Sequence, residues 1–155
     1  MKESFKPVVG IFVIVAAVWA VVGISRFFGG KDRVPWRHDF SSGRAEALNS
    51  GKPMLLYLTA SWCEPCQKLK TTTWADDEVN AALSKYVPVK VDVDESADIA
   101  GEYGAADGLP CFVLFNAAGE PTQVHNGYLG PGDFVQWMRE RPVTVITTTR
   151  SSIGE

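Results

Sequence analysis

The sequence predicts an α/β domain with a mixed central sheet and helices on both faces, preceded by one N-terminal transmembrane helix. Three observations carry this prediction. Val8–Ile24 is an uncharged, continuously apolar stretch. Downstream, short apolar or alternating runs take turns with helix-like segments, each bounded by Gly, Pro or acidic residues. A Cys-x-x-Cys pair, Cys63 and Cys66, stands where one apolar run gives way to a helix-like segment.

The chain has 155 residues, a net charge of −3, 46% hydrophobic and 21% charged residues. That length suits about one domain, and the composition excludes wholesale disorder. Weak acidity speaks against a nucleic-acid partner, which needs a basic face. The odd cysteine count of 3 is too low for a disulfide-stapled mini-protein and leaves at least one thiol outside any intramolecular pair.

As a helix, Val8–Ile24 spans roughly 26 Å, close to the bilayer core of about 30 Å. It is apolar on every side, and the rest of the chain is too small to engulf it. An uncleaved anchor is the favoured reading. A cleaved signal peptide is the alternative, with Gly23-Ile24-Ser25 as its weak small-x-small site. Lys2 and Lys6 precede the stretch and Arg26, Lys31, Arg33 and Arg37 follow it, a bias that leans toward a cytoplasmic C-terminal domain. The expected organisation is an anchor at 1–28, a linker at 29–35, a globular domain at 36–142 and a flexible Thr/Ser-rich tail at 143–155. The domain alone carries a net charge of −6, masked in the whole chain by the basic residues near the anchor. No internal repeat is present.

Within the domain, Ser42–Asn49 reads as a short helix stopped by Gly51. Met54–Ala60 is an apolar run read as a buried strand. Cys63–Thr72 is helical, with Pro65 tolerated in its first turn. Asp77–Lys85 is a helix whose acidic start suits the N-terminal dipole. Val87–Val93 alternates as a strand does, with Pro88 weakening its start. Ser96–Tyr103 is a helix ended by Gly104. Cys111–Phe115 and Thr122–His125 are strands joined by the Asn116–Gly119 turn. Pro131–Glu140 closes the domain as a helix. The order α-β-α-α-β-α-β-β-α implies a sheet covered on both faces.

Trp62-Cys63-Glu64-Pro65-Cys66 carries the chemistry. At a helix start, unpaired N–H groups and the helix dipole stabilise a Cys63 thiolate, the nucleophile of disulfide exchange. Cys66, one turn on, is close enough to resolve a mixed disulfide. Cys63 is thus the attacking and Cys66 the resolving cysteine. Two other readings stay open: a structural disulfide, and a zinc site, for which only Cys111, His38 and His125 remain as ligands, without a second pair at ligand spacing. His38 and His125 read as a linker and a hairpin surface residue and receive no role.

These residues resemble the thioredoxin family, and most of all the small membrane-linked thioredoxin-like domains of bacterial thiol:disulfide interchange proteins. The resemblance covers nearly all of Trp36–Pro142. It rests on Gly51-Lys52-Pro53, on Thr59–Cys66, on Val89–Asp94, on Gly108-Leu109-Pro110, and on Phe112–Phe115 with Gly119 and Gly127-Tyr128. It implies the thioredoxin-like fold and a cis peptide bond before Pro110. It also implies a substrate platform formed by Leu109 and Pro110, with Trp62, Glu64 and Pro65 flanking the nucleophile. No organic cofactor and no metal are implied, since the electrons reside on the cysteines.

The sequence also departs from that pattern. The family's buried acid six residues before the first cysteine is replaced by Tyr57, a poor base at neutral pH. Lys70 stands where some relatives carry an acid four residues after the second cysteine. Glu64 replaces a glycine; its carboxylate opposes thiolate formation at Cys63, which favours a reductant. Cys111 replaces a threonine after Pro110. It reads as a buried small hydrophobe, with an accessory thiol near the pair as the sharper alternative.

The expectation is therefore a membrane-tethered thiol:disulfide oxidoreductase of a bacterial inner membrane, working on protein thiols and disulfides, more as reductase than oxidase. It is supplied by an upstream electron donor that the sequence does not identify. The resemblance places the domain on the extracytoplasmic side, against the charge bias. The rivals are a binding module or Cu(I)-handling protein using Cys63, Cys66 and Cys111, and a redox-inert scaffold.

Overall fold

The structure, a computed structural model, describes residues 31–140. The anchor expected at Val8–Ile24 and the tail expected at 143–155 lie outside the described residues. Among those described, no helix is long and apolar enough to cross a membrane.

Helix α1 (Phe40–Ser50) starts where the Asp39 carboxylate accepts from the Ser42 N–H, an N-cap that satisfies one of the helix's unpaired donors. It stops at Gly51, whose φ of 64° closes the last turn. Strand β1 (Met54–Thr59) is buried on both faces, hence its unbroken apolar sequence. Helix α2 (Glu64–Thr71) follows, capped by Cys63 itself and carrying Pro65 in its first turn. After a 3₁₀ turn at Thr73–Ala75, α3 (Asp77–Leu83) starts at Asp76, whose carboxylate accepts from the Glu78 and Val79 N–H groups. Then come β2 (Val87–Asp92), α4 (Ala97–Glu102), a second 3₁₀ turn at Ala105–Asp107, β3 (Cys111–Phe115), β4 (Pro121–Asn126) and α5 (Pro131–Arg139).

The four strands lie in the order β2-β1-β3-β4. β1 pairs in parallel with β2 and antiparallel with β3, and β3 pairs antiparallel with β4, so the sheet is mixed as expected. Alternation along the strands splits the core into two layers. Leu55, Tyr57, Phe112 and Leu114 face α2, α3 and α5, meeting Cys66, Leu69, Val79, Leu83, Phe134 and Met138. Met54, Leu56, Leu58, Cys111, Val113 and Phe115 face the other way, toward Ala47 and Phe40 of α1 and Ile99 of α4.

Helix α1 comes so close to β2 that a Cβ added at Gly43 would meet Val89 Cγ2 at 2.5 Å. The domain also begins earlier than Trp36. In the segment read as linker, Val34 is buried, the Arg33 N–H donates to the Trp74 carbonyl, and the Arg33 guanidinium pairs with Asp77 at 2.7 Å.

Candidate active site

Cys63 occupies the N-cap of α2 with extended backbone (φ −78°, ψ 99°), and its Sγ accepts from the Cys66 N–H at 3.3 Å. The helix therefore aims a backbone donor at the sulfur that must carry negative charge. Cys63 and Cys66 are joined in a disulfide with Cα atoms 5.2 Å apart. Both residues are buried, Cys66 completely. The preceding turn is held by the Cys63 N–H donating to the Ala60 carbonyl and by the Gln67 amide donating to the Ser61 carbonyl.

Trp62 is the exception to burial, 67% exposed, with its indole N–H on the Asp94 carboxylate at 2.9 Å. Glu64 and Pro65 are exposed in the first turn of α2. The Leu109–Pro110 bond is cis, as the family resemblance implied. Pro110 is buried, and Leu109 is half-buried against the core layer that contains the cysteine pair. The Pro110 carbonyl accepts from the Gly127 N–H at 2.7 Å.

Tyr57 fills the place of the missing acid as part of an aromatic cluster. Its ring lies 5.4 Å from Trp36, 5.2 Å from Trp74 and 5.5 Å from Phe112. Its hydroxyl donates to Thr59 Oγ1 at 3.1 Å, and burial pushes its pKa up to about 12. A phenol so placed stays protonated at neutral pH and takes no proton from Cys66. Beside it opens a polar cleft of about 520 Å³, lined by Thr59, Gln67, Lys70, Asp92 and Glu95 among others. Lys70 donates to Gln67 within that wall, at 2.6 Å.

Cys111 does not join the pair. It lies in the opposite core layer, fully buried, and its thiol donates to the Tyr103 carbonyl at 3.6 Å. Burial pushes its pKa up to about 11. The sharper alternative, an accessory thiol near the active site, is thus corrected. A strand alternates its side chains, so Phe112 rather than Cys111 shares a layer with Cys66. For the same reason the three thiols do not converge on a Cu(I) ion. Among the described residues, no three His, Cys, Asp or Glu gather at metal-binding distance. His38 lines the polar cleft, and His125 stacks on Phe112 at 6.3 Å with its pKa lowered by burial. Sequence reading missed Asp94 and Asn126. Both act across long stretches of chain, and neither carries a local pattern.

A Cys63–Cys66 disulfide at the start of α2 and a cis-proline bond just before β3 characterise the site. The sequence model of the thioredoxin-like family matches residues 35–117, and the chain belongs to that family. Over 104 residues it is 31% identical to the thiol:disulfide interchange protein DsbD of Yersinia enterocolitica, covering 63% of this chain and 18% of that protein. The chain thus spans about a fifth of that relative's length. It is 33% identical to a thioredoxin of Rickettsia felis over 101 residues, covering 64% of this chain and 91% of that one. The oxidised C-terminal domain of Neisseria meningitidis DsbD shares the fold, with a TM-score of 0.55 at 22% identity over 66% of this chain and 96% of that domain.

Proposed function

We propose that the protein is a membrane-tethered reductase of protein disulfides, with its catalytic domain on the extracytoplasmic side of a bacterial inner membrane. The observation that carries this reading is Cys63 at the N-cap of α2, its Sγ receiving the Cys66 N–H. In the reduced protein, the Cys63 thiolate attacks one sulfur of a partner disulfide. The new Cys63–partner bond forms as the partner's own S–S bond breaks, and the displaced partner thiolate takes up a proton. Cys66, having lost its proton, then attacks Cys63 Sγ. The Cys63–Cys66 disulfide forms, and the second partner sulfur leaves as a thiolate. Two electrons pass from the pair to the partner, and an upstream dithiol must restore them.

The partner's extended segment docks along Leu109 and Pro110, with Trp62 beside the nucleophile. The reducing direction is supported by Glu64 next to Cys63, which disfavours the thiolate that strong oxidants stabilise. Tethering is supported by the apolar length of Val8–Ile24 and would concentrate the domain near membrane-bound partners. The extracytoplasmic side is supported by the likeness to DsbD, a thiol:disulfide interchange protein, since disulfide traffic is usual there.

The test is the reduction potential of the Cys63–Cys66 couple in the full, detergent-solubilised chain. A reversible two-electron couple near the thioredoxin value of about −270 mV is expected. A value near −120 mV would reverse the direction, and no reversible couple would remove the enzymatic reading. A reporter fused after Glu155 that is active only in the cytoplasm would overturn the topology.

A further inference from the structure

Asn126 ends β4 opposite Cys111, where β4 leaves the sheet toward Tyr128. Its side-chain amide reaches back across the chain and donates to two carbonyls, Gly104 at 2.9 Å and Gly108 at 3.0 Å. These carbonyls flank the Ala105–Asp107 turn, which leads into Leu109 and Pro110. Its neighbour Gly127 donates its N–H to the Pro110 carbonyl at 2.7 Å, and the Cys111 thiol holds the Tyr103 carbonyl from below. Residues 103–110 are therefore pinned at four carbonyls, two of them by one amide.

Apart from that amide the loop is held by the bonds to the Pro110 and Tyr103 carbonyls and by partial burial of Ile99, Tyr103, Ala105 and Leu109 against the sheet. Leu109 lies outside both neighbouring strand ladders, and neither α4 nor the 3₁₀ turn buries a residue. Segments that are only partly buried open at lower cost than the core unless hydrogen bonds hold them.

We propose that Asn126 is a positioning residue for recognition of protein disulfides. It holds Gly104 and Gly108 so that the Leu109 backbone stands ready to receive an extended partner segment, and it takes no part in the chemistry at Cys63. The inference rests on the functional reading above, because only a partner that lies along Leu109 feels the loop. A preformed platform lowers the ordering cost of binding, so its loss appears in KM. A small disulfide needs only the cysteine pair.

The experiment compares the wild-type full chain with Asn126→Ala and Asn126→Asp, using insulin as protein disulfide and dithiobis(nitrobenzoate) as small disulfide. Asn126→Ala should raise KM for insulin about tenfold, with kcat within about twofold, as expected for loss of hydrogen bonds worth roughly a factor of ten. The small-disulfide rate and the reduction potential should not move. Asn126→Asp keeps the shape but loses both N–H donors. It should show the same KM defect at neutral pH and recover in part in acid, where the protonated carboxyl regains one donor. That recovery keeps the test decisive should the alanine variant fold poorly.

Unchanged KM for insulin in both variants overturns the proposal. So does a parallel fall in the small-disulfide rate, which marks a general structural defect. A wild-type chain that reduces the small disulfide but not insulin overturns the functional reading and this inference together. Wild-type turnover of insulin with indifferent variants overturns the inference alone.

Discussion

The indole N–H of Trp62 sits on the Asp94 carboxylate at 2.9 Å, tying the residue before the nucleophile to the chain just after β2. The bond spans 32 residues and leaves the ring's faces in solvent. It fixes the direction of the most exposed large hydrophobic group beside the cysteine pair. Asp94→Ala should leave stability within about 1 kcal/mol, since the bond is exposed. It should slow exchange with a protein disulfide severalfold while sparing a small disulfide. Paired stopped-flow traces of Trp fluorescence with both substrates check this.

The division of labour in the pair predicts opposite outcomes for two serine variants. Cys63→Ser should abolish turnover, because Cys66 is completely buried and Cys63, at the helix N-cap, is the more reachable sulfur. Cys66→Ser should still attack and then stall as a mixed disulfide, visible by mass spectrometry and cleared by added dithiol.

Glu64→Gln should lower the Cys63 pKa by about half a unit, because a carboxylate beside the thiolate is removed. The reduced form gains by the same amount, so the potential should become less negative by about 10–20 mV. Ultraviolet thiolate absorbance across a pH titration reads the first quantity, and equilibration with glutathione the second.

Burial raises four acids in this domain: Tyr57 from 10.0 to about 12, Cys111 from 9.0 to about 11, and Tyr86 and Tyr103 above the ordinary tyrosine value. Each binds its proton more tightly folded than unfolded, so each contributes stability that is whole below its unfolded value and lost as pH climbs through its folded value. Alkaline destabilisation should therefore begin near pH 9 and deepen to about pH 12. Cys111→Ser should weaken the earlier part and Tyr57→Phe the later part, as read by urea unfolding at a series of pH values, with Tyr86 and Tyr103 supplying the remainder. Because Tyr57 is neutral at physiological pH, Tyr57→Phe should leave the pH dependence of the Cys66 step unchanged, at a stability cost of about 1 kcal/mol for the lost hydrogen bond to Thr59.

Gly43→Ala should destabilise the domain by about 1–3 kcal/mol, the ordinary range for overpacking, because its Cβ would collide with Val89. Thermal unfolding measures it, and activity at low temperature should persist.

Much of this architecture was legible in the sequence because its signals are local. β1 and β3 are buried on both faces and read as apolar runs. Gly51 and Pro65 mark helix ends, and the cysteine spacing together with Gly108-Leu109-Pro110 marks the site. What escaped depends on contacts between distant parts of the chain. Asp94 and Asn126 look like ordinary loop and strand-end residues until the fold brings Trp62, Gly104 and Gly108 to them. Arg33 reads as linker because its partners, Trp74 and Asp77, lie more than forty residues on. Cys111 shows a local signal used incompletely: its sequence neighbour Pro110 belongs to the site, but strand alternation turns its own side chain to the far layer.

That placement has a consequence for how the chain survives its own chemistry. An enzyme that cycles through sulfur–sulfur bonds and also carries a third sulfur risks short-circuiting, with the wrong ring closing and the catalyst locked. Here the sheet acts as a bulkhead. Cys63 and Cys66 pack in one core layer and Cys111 in the other. The odd cysteine is thus carried as inert ballast through every turnover.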